Sequence, residues 1–358
     1  MTHRLSLPGL LCAALVALTA CQSAPPSPSL ADSEAAPTST CPEDEETACD
    51  GQCVDTDWDP DHCGQCEQRC SLAQVCTRGD CTDRVPDDHA RLSAGKHHTC
   101  YLDDTGHAHC WGNDDYGQAS PPDGVFLHIA ANRFHTCAID RDRSISCWGQ
   151  DDLGQASPPD GTFLQLTSSP GSSHTCGLRT DGDLHCWGDN SMGQASPPHG
   201  TFQQISSGTY HNCGVRDDGS ITCWGFDEVL QRGTPPRGAT FVHVSCGNSH
   251  NCAIRDDGSA DCWGEKGPDG EGRTSAPDDI FTQLSSGFAH TCGVKQDHTV
   301  VCWGWDYYGQ TDPTPGSFQH VVAGSGHTCA LTTDGTIHCW GRNYDGEASP
   351  PQHLSSPP

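Results

Sequence analysis

Positive charge is scarce in this chain: 18 Lys and Arg stand against 47 Asp and Glu, a formal net charge of −29. Nucleic acid needs basic patches to replace the counterions of its phosphates, so that class of partner is excluded, as is lying flat on an anionic membrane. Catalytic motifs are lacking as well. There is no G-x-S-x-G, no H-E-x-x-H, no phosphate-cradling glycine loop and no Ser-x-Asp-x-Gly-x-Thr-Trp box. The apolar run at residues 5–17 falls short of the roughly 20 residues that a membrane-spanning helix needs. These absences point to a protein without catalytic residues, cofactor or resident metal.

Cysteine, by contrast, is abundant, with 25 residues. Fourteen of them sit in a frame that recurs seven times: His-x-Cys, nine residues, then Cys-Trp-Gly. The pairs are Cys100/Cys110, Cys137/Cys147, Cys176/Cys186, Cys213/Cys223, Cys252/Cys262, Cys292/Cys302 and Cys329/Cys339, stepped by 37 to 40 residues. Such a period marks an array of one supersecondary unit. Most units open on a Phe with an aliphatic three residues on (Phe126/Ile129 through Phe318/Val321), and His89/Leu92 takes that place in the first. This predicts a short inner strand, followed by a hairpin that carries the cysteines and a long loop with Gly-Gln and Ser-Pro-Pro.

The spacing predicts the hairpin geometry. In five units a Gly (Gly106, Gly182, Gly219, Gly258, Gly335) lies six residues after the first Cys, at the left-handed position of a three-residue hairpin loop. Asp103 and His107 then close the loop, and alternation along the ladder makes Cys100/Cys110 a non-hydrogen-bonded pair. Such pairs have Cα atoms about 4.5 Å apart, within disulfide reach, so seven cross-strand disulfides are expected. Arg143 and His298 replace the Gly in two units, where the turn should be strained or of another type. Each first Cys shares a face with the aliphatic two residues on, each second Cys with the residue two before it, and each Trp points the other way. Both faces are apolar, as in a blade between two neighbours, and a closed ring satisfies that for every copy.

The pattern G-x-x-H-[TN]-C-x-φ-x-x-D-G-x-φ-x-C-W-G-x-N-x-x-G-Q, over residues 89–354, resembles the regulator of chromosome condensation repeat family. The resemblance implies an all-β, seven-bladed propeller, here over residues 85–358. The short units and the Pro-Pro-x-Gly after Gly-Gln are similar to the exported bacterial branch, which includes a propeller-type β-lactamase inhibitory protein. Val85-Pro86-Asp87 and residues 349–354 echo the segment before other inner strands, so the ring is expected to close by docking the tail beside the first blade.

The N-terminus reads as an export signal over residues 1–20, with Arg4 ahead of the apolar run. Its end, Leu18-Thr19-Ala20-Cys21, resembles the lipobox of bacterial lipoproteins, which implies lipidation of Cys21 and membrane attachment through the lipid alone. Gln22 after the Cys favours the outer membrane, facing periplasm or cell surface. Residues 21–40, rich in Pro, Ser and Ala, form a tether. Residues 41–82 hold eight cysteines, Cys41, Cys49, Cys53, Cys63, Cys66, Cys70, Cys76 and Cys81, in a segment too small for a sizeable core. A disulfide scaffold follows, with on the order of a hundred pairings open. Its CGxC and Cys spacing resemble the stigma-specific cysteine-rich family. A redox reading of Cys63/Cys66 lacks a βαβ context, and a calcium reading of Asp55, Asp57, Asp59 and Asp61 lacks an EF-hand's glycine and distal Glu.

The frame histidines, His98, His135, His174, His211, His250, His290 and His327, invite a zinc reading. A catalytic or metal site is needed once, however, so a residue present in every blade is expected to be structural. Cys246, where other units have Ser or Ala, reads as a small buried residue with a free thiol. Function is expected where the blades differ, in the loops after Cys-Trp-Gly. These carry Tyr116, Phe226, Trp305, Tyr307, Tyr308 and Tyr344, flanked by Asp114, Asp115, Asp151, Asp152, Asp227, Glu228, Asp306 and Asp345. Tyr and Trp often anchor protein interfaces, and acidic rims steer basic partners. The expected function is a monomeric, lipid-anchored binding module for an exported or surface protein or glycan. The alternatives are an inhibitor of an exported enzyme and a hydrolase or lyase with its site in the central channel.

Overall fold

Each of the seven repeats folds into one three-stranded antiparallel sheet. A computed structural model describes four short strands between residues 47 and 83, and then residues 91–355 except 168, 227–234, 237 and 268–271. The signal, Cys21, the tether, Val85-Pro86-Asp87, His89, Asp227 and Glu228 lie outside the described residues, as do the side chains of the cysteine-rich segment. In that segment Thr47–Cys49 pairs with Gln52–Val54, and Gln74–Thr77 with Asp80–Asp83.

Blade 1 consists of Leu92–Ala94, His98–Leu102 and Ala108–Gly112. Blade 2 is Phe126–Ala131, His135–Asp140 and Ile145–Gly149, and blade 3 is Phe163–Leu166, His174–Arg179 and Leu184–Gly188. Phe202–Ser207, His211–Arg216 and Ile221–Gly225 form blade 4. Phe241–Cys246, His250–Arg255 and Ala260–Gly264 form blade 5. Blade 6 is Phe281–Ser286, His290–Lys295 and Val300–Gly304, and blade 7 is Phe318–Ala323, His327–Thr332 and Ile337–Gly341. The described residues contain no helix.

The hairpin follows from its turn. Asp103 N donates to His107 O at 3.0 Å, and Gly106 sits at φ +84°. Arg143 and His298 hold the same left-handed position at φ 66° and 64°, so those two units keep the turn with a side chain where Gly costs nothing. Counting back from the turn places Cys100 opposite Cys110, and the other six ladders repeat that register. Seven disulfides result: Cys100–Cys110, Cys137–Cys147, Cys176–Cys186, Cys213–Cys223, Cys252–Cys262, Cys292–Cys302 and Cys329–Cys339, with Cα atoms 4.0–4.1 Å apart. Each 11-residue loop so closed contributes roughly 2–3 kcal/mol in the chain-entropy description.

The two ends of each bridge are not equivalent, which alternation alone does not show. The first Cys, on the middle strand, is fully buried in every blade. Its partner (Cys110, Cys147, Cys186, Cys223, Cys262, Cys302 or Cys339) is only half-buried. That partner lies on the third strand, a sheet edge with a ladder on one side only, so solvent reaches it from the other.

The core lies between blades. The disulfide face of one blade meets the Phe and Trp face of the next: Cys100 and Leu102 against Phe126, Ile129, Ala138 and Trp148, for example. The same packing recurs through blades 2 to 7. The ring closes where Cys329, Leu331 and Ile337 of blade 7 meet Leu92, Tyr101 and Trp111 of blade 1, with Leu354 packed into the seam. Elsewhere the opening Phe starts its strand on the preceding hairpin turn, as Phe126 N does by donating to Gly106 O at 2.8 Å. At the seam the tail works from the other side: Ile337 N donates to Leu354 O at 2.8 Å, and His353 lies edge-on to His109 at 5.3 Å.

First strands of adjacent blades touch all round the axis but belong to separate sheets. Glutamine amides stand in for the missing ladder. Gln165 Nε2 donates to Ile205 O at 3.1 Å while its Oε1 accepts from Ile205 N at 3.0 Å; Gln204 bonds Val244, and Gln283 bonds Val321, in the same way.

Candidate partner-binding face

The frame histidines are structural. Each buried imidazole reaches across to the next blade through Nε2: His98 to Thr136, His135 to Thr175, His174 to Asn212, His211 to Asn251, His250 to Thr291, His290 to Thr328. His327 bonds Thr99 at 2.9 Å and completes the circuit. Thr136, Thr328 and Thr99 each donate their hydroxyl proton to the main-chain carbonyl of Gln118, Gln310 or Glu347, so they accept from the imidazole, which carries its proton on Nε2. Burial holds His98, His135, His250 and His327 down at about 3, and His174 and His290 at about 4, so all six are neutral. The adjacent cysteines are oxidised, which removes the thiolates that zinc binding would require.

Two clusters of ligand-type groups occur among the described residues. His211, Cys213 and Cys246 come within 4.8 Å, but Cys213 is in its disulfide with Cys223, and burial pushes the Cys246 thiol up to about 12. In the other, His97, Asp345 and Glu347 surround Arg342, which bonds Asp345 and Glu347 at 2.9 Å each. Both are accounted for by the fold.

Residues facing the axis, among them Gln165, Ser206, Ser245, Cys246 and Ser285, enclose about 30 Å³. That is room for ordered water.

Where described, the variable loops are bound to one side of the disc. After Cys-Trp-Gly the chain returns to the turn between the first two strands: Asn113 N donates to His97 O, Gln150 N to Phe134 O, Phe226 N to Tyr210 O and Trp305 N to Ala289 O. The frame Gly is obligatory here, since a Cβ at Gly112 (φ +105°) would stand 2.5 Å from His97 O. The hairpin turns occupy the other side. Buried glutamines brace the loops: Gln118 Oε1 accepts from Tyr116 N at 2.9 Å, and the Gln118 carbonyl accepts from Trp148 Nε1 at 2.9 Å. The flanking acids divide by role. Asp114 accepts from Ala119 N and Ser120 Oγ, Asp151 from Ala156 N and Ser157 Oγ, and Asp306 from Thr311 N, so these three shape their loops.

On this face the aromatics gather. Tyr307 and Tyr344 are each 75% exposed and Tyr116 is 49% exposed, while Trp305, Tyr308 and Phe226 are half-buried. Trp305 stacks parallel to Tyr307 at 5.9 Å, Tyr308 meets both edge-on at 5.5 and 4.9 Å, and Tyr344 of the next blade joins Tyr308 at 5.8 Å. Tyr116 pairs with Phe134 and Phe226 with Tyr210, so those two stand apart from the cluster. Phe134, Tyr210 and Phe288 escaped the sequence reading because they lie in the turn before the frame His. The same comparison of varying positions, applied there, would have found them.

The family profile described as Regulator of chromosome condensation (RCC1) repeat matches residues 90–118, 126–155, 168–194, 202–229, 241–270, 281–310 and 318–347. The Stigma-specific STIG1-like protein family matches residues 32–91, a span that starts within the tether. No curated protein matches the chain in sequence. Among solved structures, the ectodomain of the Physcomitrella patens receptor kinase CR4 is 26% identical, covering 71% of this chain and 72% of its own, with TM-score 0.61. The CRINKLY WD40 ectodomain of the Arabidopsis thaliana receptor kinase ACR4 is 24% identical over 74% of this chain and 97% of its own, with TM-score 0.60. Human WBSCR16 is 16% identical over 63% and 78%, with TM-score 0.54. The last two likenesses are of fold alone.

Proposed function

The chain belongs to the regulator of chromosome condensation (RCC1) repeat family, and from that premise we propose that it is an exported, lipid-anchored module that binds a protein partner through the loop face of its propeller. The observation that carries this reading is the cluster of Trp305, Tyr307, Tyr308 and Tyr344, four neighbouring rings on adjacent blades, with Tyr307 and Tyr344 exposed and Trp305 and Tyr308 half-buried beneath them. Exposed aromatic groups of this size are costly in water and are typical anchors of protein interfaces. Display outside the cell is supported by the seven disulfides and by the likeness to a receptor-kinase ectodomain.

Crosslinking pull-down from intact cells, comparing the native chain with Trp305→Ala, tests the face. The expected result is loss of affinity for the captured partner by roughly thirtyfold or more, since a central aromatic anchor is worth about 2 kcal/mol or more. Undiminished capture would refute it. The inhibitor reading uses the same face and separates by assay: it requires that the captured partner be an exported enzyme whose turnover stops on binding. For the anchor, Cys21→Ser should move the protein from the membrane fraction to the soluble exported fraction, and membrane retention would count against lipidation at that residue.

A further inference from the structure

Many cations in this acidic chain are neutralised where they stand. Arg91 pairs with Asp104, Arg255 with Asp261, Lys295 with Asp279 and Asp297, and Arg342 with Asp345 and Glu347. Arg179 and Arg216 lie over Phe163 and Phe202 near the hairpin turns, on the opposite side of the disc from the loops. Lys96 and Arg133 are different: neither has a carboxylate at ion-pairing distance among the described residues. Both occupy the turn between first and second strands, on blades 1 and 2, and so lie on the loop face. Lys96 N donates to Asn132 O at 3.1 Å and Arg133 N to Ser172 O at 3.2 Å, which fixes the turns against one another. Their charges converge on a single ring. The Lys96 ammonium lies 4.9 Å from the centre of Phe134 and the Arg133 guanidinium 5.1 Å from it. Burial, Arg133 and Arg342 together lower the Lys96 pKa, as expected where like charges meet without a counterion.

This pair adjoins the aromatic cluster without a break. Arg342 stands 5.0 Å over Tyr344, the end of the cluster on blade 7, and reaches His97 beside Lys96. Beyond Phe134 the ring of Tyr116 follows at 5.2 Å. A crescent across blades 6, 7, 1 and 2 thus offers rings at both ends and two uncompensated cations between them.

Resting on the reading of the loop face as the binding surface, we infer that the Lys96–Arg133 pair is an anion subsite that receives a carboxylate-bearing stretch of an otherwise aromatic or apolar peptide segment of the partner. The sign is opposite to that expected from the acidic loop flanks: Asp114, Asp151 and Asp306 keep their charge but are held within their own loops, while at this spot two cations converge on Phe134. An anion must approach against the overall charge of −29. At physiological salt that field is screened beyond about 8 Å, so contacts at the subsite decide the outcome.

The test uses the full-length protein in detergent at physiological salt, with fluorescein-labelled probes read by anisotropy. The probes are a hexapeptide of alternating Glu and Tyr, its Lys and Tyr counterpart, and tetragalacturonate. The Glu–Tyr peptide is expected to bind roughly tenfold more tightly than the Lys–Tyr peptide, and to lose about that factor in Lys96→Glu and in Arg133→Glu but not in Arg133→Lys. Unchanged melting temperature establishes that the variants are folded, and Lys96→Gln with Arg133→Gln serves if either reversal is not. The inference is overturned if the Lys–Tyr peptide binds as well or better, if the substitutions leave the preference intact, or if galacturonate binds and the peptide does not. Trp305→Ala tells the two levels apart. If it weakens whatever binds, the face stands even when the charge preference fails; if it changes nothing, the face itself is wrong.

Discussion

His290 shows what a repeated polar residue does here. Its Nε2–H donates to Thr328 at 2.9 Å across a blade boundary, in a fully buried setting. Replacing it by Ala removes this bond and leaves a cavity the size of an imidazole, which should cost about 2–4 kcal/mol. Thermal melts with and without added zinc check both readings. A large fall in melting temperature, indifferent to zinc, is expected; stabilisation of the native protein by zinc would restore the metal reading. Recurrence in every blade already identified these histidines as structural. Their partners could not be read, because Thr136 stands 38 residues from His98 and nothing local links the two. The same recurrence argument applies to Gln118, Gln155, Gln194 and Gln310, whose buried amides brace the loops that the sequence placed only as loops.

The hairpin is the element most legible in sequence, since its register follows from the turn by counting in twos. His298 is informative because it adopts φ 64°, a conformation costing a side-chain-bearing residue roughly 1–2 kcal/mol relative to Gly. His298→Gly should therefore stabilise the protein by up to about 1 kcal/mol, after allowing for the greater freedom of Gly in the unfolded chain. Denaturant titration checks this, and a loss of stability would show that the contact of His298 Nδ1 with Phe318 O, at 3.3 Å, outweighs the backbone cost. The first strands were legible only as strands. That Gln165, Gln204 and Gln283 use side-chain amides to imitate a ladder depends on the distance between blades, which no single repeat specifies.

At the scale of the ring, the six imidazoles act together. Unfolded, each titrates near 6.5; folded, burial keeps each neutral down to about 3 or 4. Between those values the unfolded chain binds more protons, so stability is fully present above pH 6.5 and is lost as pH falls toward 4. Each group contributes up to about 1.4 kcal/mol per pH unit in that window. The melting temperature should drop steeply below pH 6 with the disulfides intact, and a flat profile from pH 7 to 4.5 would contradict the neutral, buried circuit. The ring also decides where exposure falls. Trp305 and Tyr344 are far apart in sequence, and only the adjacency of blades 6 and 7 brings Tyr308 and Tyr344 to 5.8 Å.

By itself the sequence determined the blade: a period of 37 to 40 residues, alternation in twos and a turn that sets Cys opposite Cys, all local relations that a short stretch of chain must satisfy. Tertiary structure decided what crosses between blades: the histidine circuit that ends from His327 to Thr99, the seam filled by Leu354, and the meeting of Lys96 and Arg133 over Phe134. Those contacts depend on how seven units close around an axis, and no one repeat carries that information.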